Sequence, residues 1–167
     1  MLKKTNNSLE YQRLLSRYPK KRIRLNNEYK KIYNEHYMLN RGGEGITNML
    51  SQKMESWMHK KVSKVSATNI LEIGAGNLNH IDYETNFTNY DIVEPFKELY
   101  INNPLKKKVR KVFKSLENVE GKYDKILSIA TLEHILNLPK EIDLCKKISK
   151  RKWYNSNCCT VRGRVSF

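Results

Sequence analysis

The sequence predicts an α/β fold: a doubly wound, mostly parallel sheet with a helical cap on its N-terminal side. Three observations lead there. Four short apolar runs, Asn69–Ile73, Tyr90–Val93, Val109–Phe113 and Tyr123–Ala130, alternate with helical or turn segments, as strands joined by crossovers do. The first run leads straight into Gly74-Ala75-Gly76, and the second ends on Glu94. The chain has 167 residues, enough for a domain with its own core and no need of disulfide or metal staples.

Each element has its own signal. Residues 1–25 are polar and basic, with Lys20, Lys21, Arg22 and Arg24 clustered, and read as a solvated arm or frayed helix. Asn26–Leu39 is rich in Tyr and Lys and reads as a helix, broken by Gly42, Gly43 and Gly45. A second helix follows, with Ile46, Leu50, Met54, Trp57 and Met58 at helical spacing on one face. That stripe is expected to pack into the core. Residues 26–64 thus form the cap. Phe96–Tyr100 is a short helix that stops before Asn102, Asn103 and Pro104. Beyond the fourth run, Pro139 suits a first helical turn, and Ile142, Cys145 and Ile148 share one face of that helix.

The formal net charge is +15, which invites a nucleic-acid reading. Its distribution argues otherwise. Residues 1–70 hold 15 basic and 5 acidic side chains, residues 71–150 hold 13 and 12, and residues 151–167 hold 4 and none. Lys outnumbers Arg 23 to 9, and Asn is frequent. AT-rich coding DNA produces that bias without a functional cause. No apolar run approaches the roughly 18 residues of a membrane span, and Met1–Glu10 lacks the apolar segment of a signal peptide. The expectation is a cytoplasmic protein. Cys145, Cys158 and Cys159, an odd set, fit reduced thiols. Their spacing suits no metal, and no metal site is expected.

The segment Leu71-Glu72-Ile73-Gly74-Ala75-Gly76-Asn77 is the most informative. Glycines at the end of a strand let a ligand approach the main chain, and ligands of open α/β sheets bind at that end. Glu94 closes the next strand, 18 residues beyond Gly76, where a carboxylate can accept both hydroxyls of a ribose. The dinucleotide fingerprint is incomplete, because Asn79 stands where its third glycine belongs. Glu72, two residues before the first glycine, favours a cofactor without phosphates whose amino acid end carries an ammonium. There is no G-x-x-x-x-G-K-[ST] phosphate loop.

"NILEIGAGN", "YDIVEP" and "YDKILSIATLEHI", in this order and spacing, resemble the glycine motif, the strand-two acid and the strand-four motif of class I S-adenosylmethionine-dependent methyltransferases. The resemblance covers residues 65–150 and implies part of a Rossmann-like domain, strands one to four of the seven in that family. It implies S-adenosyl-L-methionine as cofactor, with Glu72, Gly74, Ala75, Gly76 and Asn77 lining its methionine end. Glu94 would take the ribose hydroxyls, with Pro95 and Phe96 beside the adenine. Lys114 and Ser115 would stand where the adenine amino group is read, and Ile129, Ala130 and Thr131 would flank the cofactor from strand four. Two positions depart from the pattern: Leu78 replaces a third small residue, and Ser115 replaces an acid.

The implied reaction is in-line attack on the sulfonium methyl, with the protein supplying orientation and desolvation. His80 and His134 are the candidate bases. Ser128-Ile129-Ala130-Thr131 stands where many nucleic-acid amino methyltransferases carry an N/D-P-P-Y tetrapeptide. The acceptor expected is therefore a small molecule or saccharide. A nucleic-acid methyltransferase, which the basic flanks would suit, and an inactive remnant are the alternatives.

Residues 151–167 change character: they hold no Ile, Leu, Asp or Glu, but two of the three Cys. Read one base out of phase from Lys152, their codons give a turn glycine, then β-formers or Ala, like a buried fifth strand. The expectation is a frameshifted tail on a C-terminally truncated methyltransferase, with weak turnover and an exposed edge on strand four.

Overall fold

The computed structural model describes residues 6–21, 26–29, 31–32 and 46–150. The tail 151–167 and most of the expected helix Asn26–Leu39 lie outside the described residues. The N-terminal arm holds one helix, α1 (Asn6–Leu15), with Leu9 and Tyr11 exposed. The cap contributes α2 (Ile46–Ser63).

Four parallel strands follow: β1 (Asn69–Ile73), β2 (Asn89–Val93), β3 (Val112–Phe113) and β4 (Lys125–Ser128). Their order is β3-β2-β1-β4, the order expected of strands one to four in a doubly wound sheet. Asn69 opposes Asn89 across β1 and β2, and Ile70 opposes Lys125 across β1 and β4. The run Val109–Phe113 is shorter as a strand than its apolar pattern suggests. Val109 instead closes a 3-10 turn, Pro104–Lys108, through its N–H to Lys106. Two further helices are α3 (Lys97–Tyr100) and α4 (Leu138–Ile148), the latter with Pro139 in its first turn. β4 is the last strand of the sheet among the described residues.

Both faces of the sheet are covered, which is why its strands read as nearly continuous apolar runs. Strand periodicity sends alternate residues to opposite faces. Ile70, Tyr90, Ile92 and Leu127 pack with Val62 of α2, Leu78 and Ile81. Leu71, Ile73, Val93 and Ile126 pack with Leu116, Tyr123 and Cys145 of α4.

The cap helix corrects one expectation. Met54 is 61% exposed and Trp57 is 56% exposed, so their part of the apolar stripe faces outward. The inward face carries His59 and Val62, both buried. Spacing marks a helix face, but the partner decides which face is covered. Here the partner offers polar groups, and Trp57 is screened by the Lys61 ammonium 5.5 Å from its ring.

Polar fastenings hold the sheet. At its N-terminal end, Asn89 Nδ2 donates to Asn69 Oδ1 (2.7 Å), and Asn69 donates through Nδ2 (2.8 Å) and its backbone N–H (3.0 Å) to Asp124. On the α4 face, the fully buried Asp91 accepts from Arg110 Nε (2.9 Å), the Tyr123 hydroxyl (2.8 Å) and the Lys111 N–H (3.0 Å). Burial pushes its carboxyl up, but these donors outweigh burial and hold it below the usual carboxylate range. Asp91→Ala is expected to destabilise the fold by about 2 kcal/mol, because it strands a buried phenol and two further donors. Urea unfolding of the two proteins measures this. Tyr123→Phe, which leaves Asp91 its other donors, should cost about half as much.

Candidate functional site

The glycine segment lies at the C-terminal end of β1, where it turns over the sheet. Gly74 donates its N–H to Val93 O (2.8 Å) and has φ +72°, a left-handed angle that side chains disfavour. A Cβ at Gly74 would stand 2.3 Å from Thr131 Cγ2 and 2.5 Å from Thr131 Oγ1. The turn after β4 therefore closes directly over the turn after β1. Thr131 Oγ1 donates to Ile129 O (3.0 Å), and Ala130 takes φ +52°, which fixes that second turn. Gly76 has φ +50° and open space where a Cβ would stand.

The acid of β2 meets this turn. Glu94, only 5% exposed, accepts from the Gly76 N–H at Oε2 (2.8 Å) and from the Phe96 N–H at Oε1 (3.0 Å). Each oxygen keeps a further lone pair for a hydroxyl. Pro95 and Phe96 are exposed beside it, and Phe96 leaves 59% of its surface open, an apolar platform next to the carboxylate. Ser115 follows β3, with its hydroxyl on Asn118 Oδ1 (2.5 Å), and Lys114 is exposed. Ile129, Ala130 and Thr131 sit at the end of β4, next to Gly74. Ala75 is buried and Asn77 half-buried.

Glu72 lies two residues earlier, within β1, buried beside Tyr90, whose hydroxyl donates to Glu72 Oε2 (2.7 Å). Burial pushes its carboxyl up to about 8, against the help of the Tyr90 hydroxyl. The sign follows directly. The folded state keeps a proton that the unfolded chain releases near the ordinary glutamate value of 4.5. The stability this proton contributes is full below pH 4.5 and is lost as pH rises to about 8. We expect Glu72→Gln to remove a downward slope of at most about 1.4 kcal/mol per pH unit over that window. Chemical unfolding at pH 5, 6, 7 and 8 reads the slope, and parallel curves for both proteins would refute it.

Leu78 stands where the family pattern has a small residue. It takes φ +63°, yet its side chain is fully buried in the core. Apolar burial there offsets a left-handed angle worth about 1–2 kcal/mol.

The two candidate bases part company. His134 is exposed at the end of a 3-10 turn, Leu132–His134, with its N–H on Thr131 O (2.9 Å). His80 is fully buried under α2 and engaged at both ring nitrogens: Nδ1 lies 2.9 Å from His59 Nδ1, and Nε2 lies 2.5 Å from Glu84 Oε1. It has no atom left for a methyl acceptor. Lys125 Nζ joins the same network at 2.5 Å from Glu84 Oε1, and it also donates to Val62 O and Val65 O, each at 2.9 Å. The sequence reading missed His59, Glu84 and Lys125. Two signals pointed there: a lysine inside an apolar strand, and His80 and Glu84 four residues apart.

No family model matches the chain, and no curated protein matches it. Solved structures do. Coclaurine N-methyltransferase, bound to N-methylheliamine and S-adenosylhomocysteine, superposes with a TM-score of 0.54 at 18% identity, over 90% of this chain and 50% of that one. The fold is that of S-adenosylmethionine-dependent methyltransferases. A methyltransferase from Clostridium acetobutylicum ATCC 824 is also similar, with a TM-score of 0.46, 18% identity, and coverage of 75% of this chain and 55% of that one. The chain spans about half the length of the methyltransferase structures it matches. At the C-terminal end of the sheet Gly74 meets Thr131, and Glu94 reaches the same turn at Gly76. Among the described residues no helix is long and apolar enough to cross a membrane.

Proposed function

We propose that this chain binds S-adenosylmethionine and serves methyl transfer to a small-molecule or saccharide acceptor. One observation carries the reading: Glu94 accepts from the Gly76 and Phe96 N–H groups, which sets its carboxylate against the glycine turn, where a Cβ at Gly76 would meet open space. Buried acceptors aimed at a ribose, a turn that admits no Cβ and a buried carboxyl short of a cation together fit the cofactor.

In this reading Glu94 holds the two ribose hydroxyls, and Phe96 with Pro95 covers the adenine. Ser115 reads the adenine edge. Gly74, Ala75, Gly76 and Asn77 line the methionine end, and Ile129, Ala130 and Thr131 close the opposite wall. Glu72 supplies the counter-charge for the ammonium, which would draw off the proton that burial retains. The cofactor supplies an electrophilic methyl; the chain orients it and excludes water. His134 is the candidate base, since its ring stands exposed near the end of β4. Residues 65–150 form the cofactor unit and residues 26–64 its cap. Calorimetric titration with S-adenosylhomocysteine and with NAD tests the reading. Saturable binding of the first alone supports it, and binding of neither would overturn it.

A further inference from the structure

A cavity of about 510 Å³ opens between α2 and the segment 79–83, on the cap side of the sheet. Gln52, Glu55, His59, Asn79, Asp82 and Tyr83 are among the residues lining it. Its electrostatics run against the rest of the chain. In a protein of net charge +15, the lining holds two carboxylates and no Lys or Arg. Lys108 neutralises Asp82 from outside the lining, at 2.5 Å, which leaves Glu55 in excess.

One buried polar atom of the lining is His59 Nε2. The side chain is 6% exposed, and Nε2 has no hydrogen-bond partner among the described residues. Glu55 Oε1 stands 3.6 Å away, too far for a hydrogen bond, and is held there by Asn79 Nδ2 at 3.2 Å.

The neighbouring network decides what Nε2 offers. Glu84 is held ionised: burial pushes it up, but the hydrogen bonds from His80 and Lys125 outweigh this. A carboxylate only accepts, so His80 must place its proton on Nε2. With His80 neutral its Nδ1 is bare, and the 2.9 Å contact then places the shared proton on His59 Nδ1. His59 Nε2 is left as a bare acceptor facing a second acceptor, Glu55. Burial lowers the His59 pKa, which favours the neutral ring. The groups that face His59 are Glu55, His80 and Tyr83, the last stacked at 4.9 Å. Two acceptors 3.6 Å apart, beside an aromatic face, suit a cation with at least two N–H donors.

We propose that this cavity binds a small primary ammonium ion, bridged between His59 Nε2 and the Glu55 carboxylate against the Tyr83 ring. The site is separate from the glycine turn and stands whether or not the chain binds S-adenosylmethionine.

The test is long-range nitrogen-proton NMR of the histidine rings in the full chain, titrated with n-butylammonium, tetramethylammonium or butyrate. The free protein should show His59 as the Nδ1–H tautomer. n-Butylammonium should shift His59 Nε2 saturably, and tetramethylammonium, which has no N–H, should not. Glu55→Gln, a change at a half-exposed side chain, should weaken n-butylammonium about tenfold. Glu94→Ala should leave it unchanged, which separates this site from the cofactor crevice. An Nε2–H tautomer in the free protein, no saturable shift, an equal response to tetramethylammonium, or affinity untouched by Glu55→Gln would each overturn the proposal.

Discussion

Glu94→Ala should lower the affinity for S-adenosylhomocysteine by about 100-fold or more, the largest loss expected from any single side chain of the crevice. Two effects combine. In the proposed mode the ribose would lose two hydrogen bonds to a buried carboxylate, each worth about 1.5–3 kcal/mol. The Gly76 and Phe96 N–H groups also lose the acceptor that ties the glycine turn to the end of β2. Glu94→Gln separates the effects. It keeps one carbonyl acceptor and the side-chain shape but loses the charge, and should retain an intermediate affinity. Isothermal titration of the three proteins gives the order directly. Equal affinities for wild type and Glu94→Ala would place the cofactor elsewhere.

Gly74→Ala should destabilise the fold by about 3 kcal/mol and abolish cofactor binding in whatever remains folded. The added methyl would stand 2.3 Å from Thr131 Cγ2 and 2.9 Å from Thr131 Cβ, and φ +72° is a poor angle for alanine. Since Thr131 Cβ is itself too close, shortening the threonine to alanine cannot relieve the clash. Thr131→Gly can. The double variant Gly74→Ala/Thr131→Gly should therefore recover about half of the lost stability, the part due to contact, and leave the part due to backbone angle. Urea unfolding of the single and double variants reads this coupling. Simple additivity would show that the turns after β1 and β4 do not touch.

Much of the architecture was legible because its signals are local. Asn69–Ile73 is a strand with the bounds its apolar run suggested, and Gly74 and Gly76 both take left-handed angles that favour glycine. Pro139 announces α4, and the structure adds the Asn137 side chain capping its first turn. The cap helix was read on the wrong face at Met54 and Trp57, since helical spacing shows that a face exists but not what it meets. His80 was a plausible base by its place after the glycine turn. The distant members of its network, His59 at 21 residues' distance and Lys125, which reaches it through Glu84, carry no local mark that joins them to it.

The sequence by itself determined the strand order's raw material: four apolar runs, a glycine turn at the end of the first and an acid at the end of the second. Backbone angles and side-chain periodicity depend on near neighbours, so those features can be read from one stretch of chain. Only the tertiary structure decided that Glu94 reaches Gly76, that Thr131 closes against Gly74, and that His59, His80, Glu84 and Lys125 share one buried network. Each of these joins residues that parallel pairing and crossovers bring together across the sheet. Their geometry is set by packing, which no single segment encodes. The opening charge of +15 changes meaning for the same reason. It describes the chain as a whole, while the fold gathers Glu55 and Asp82 into an acidic cavity with room for a cation.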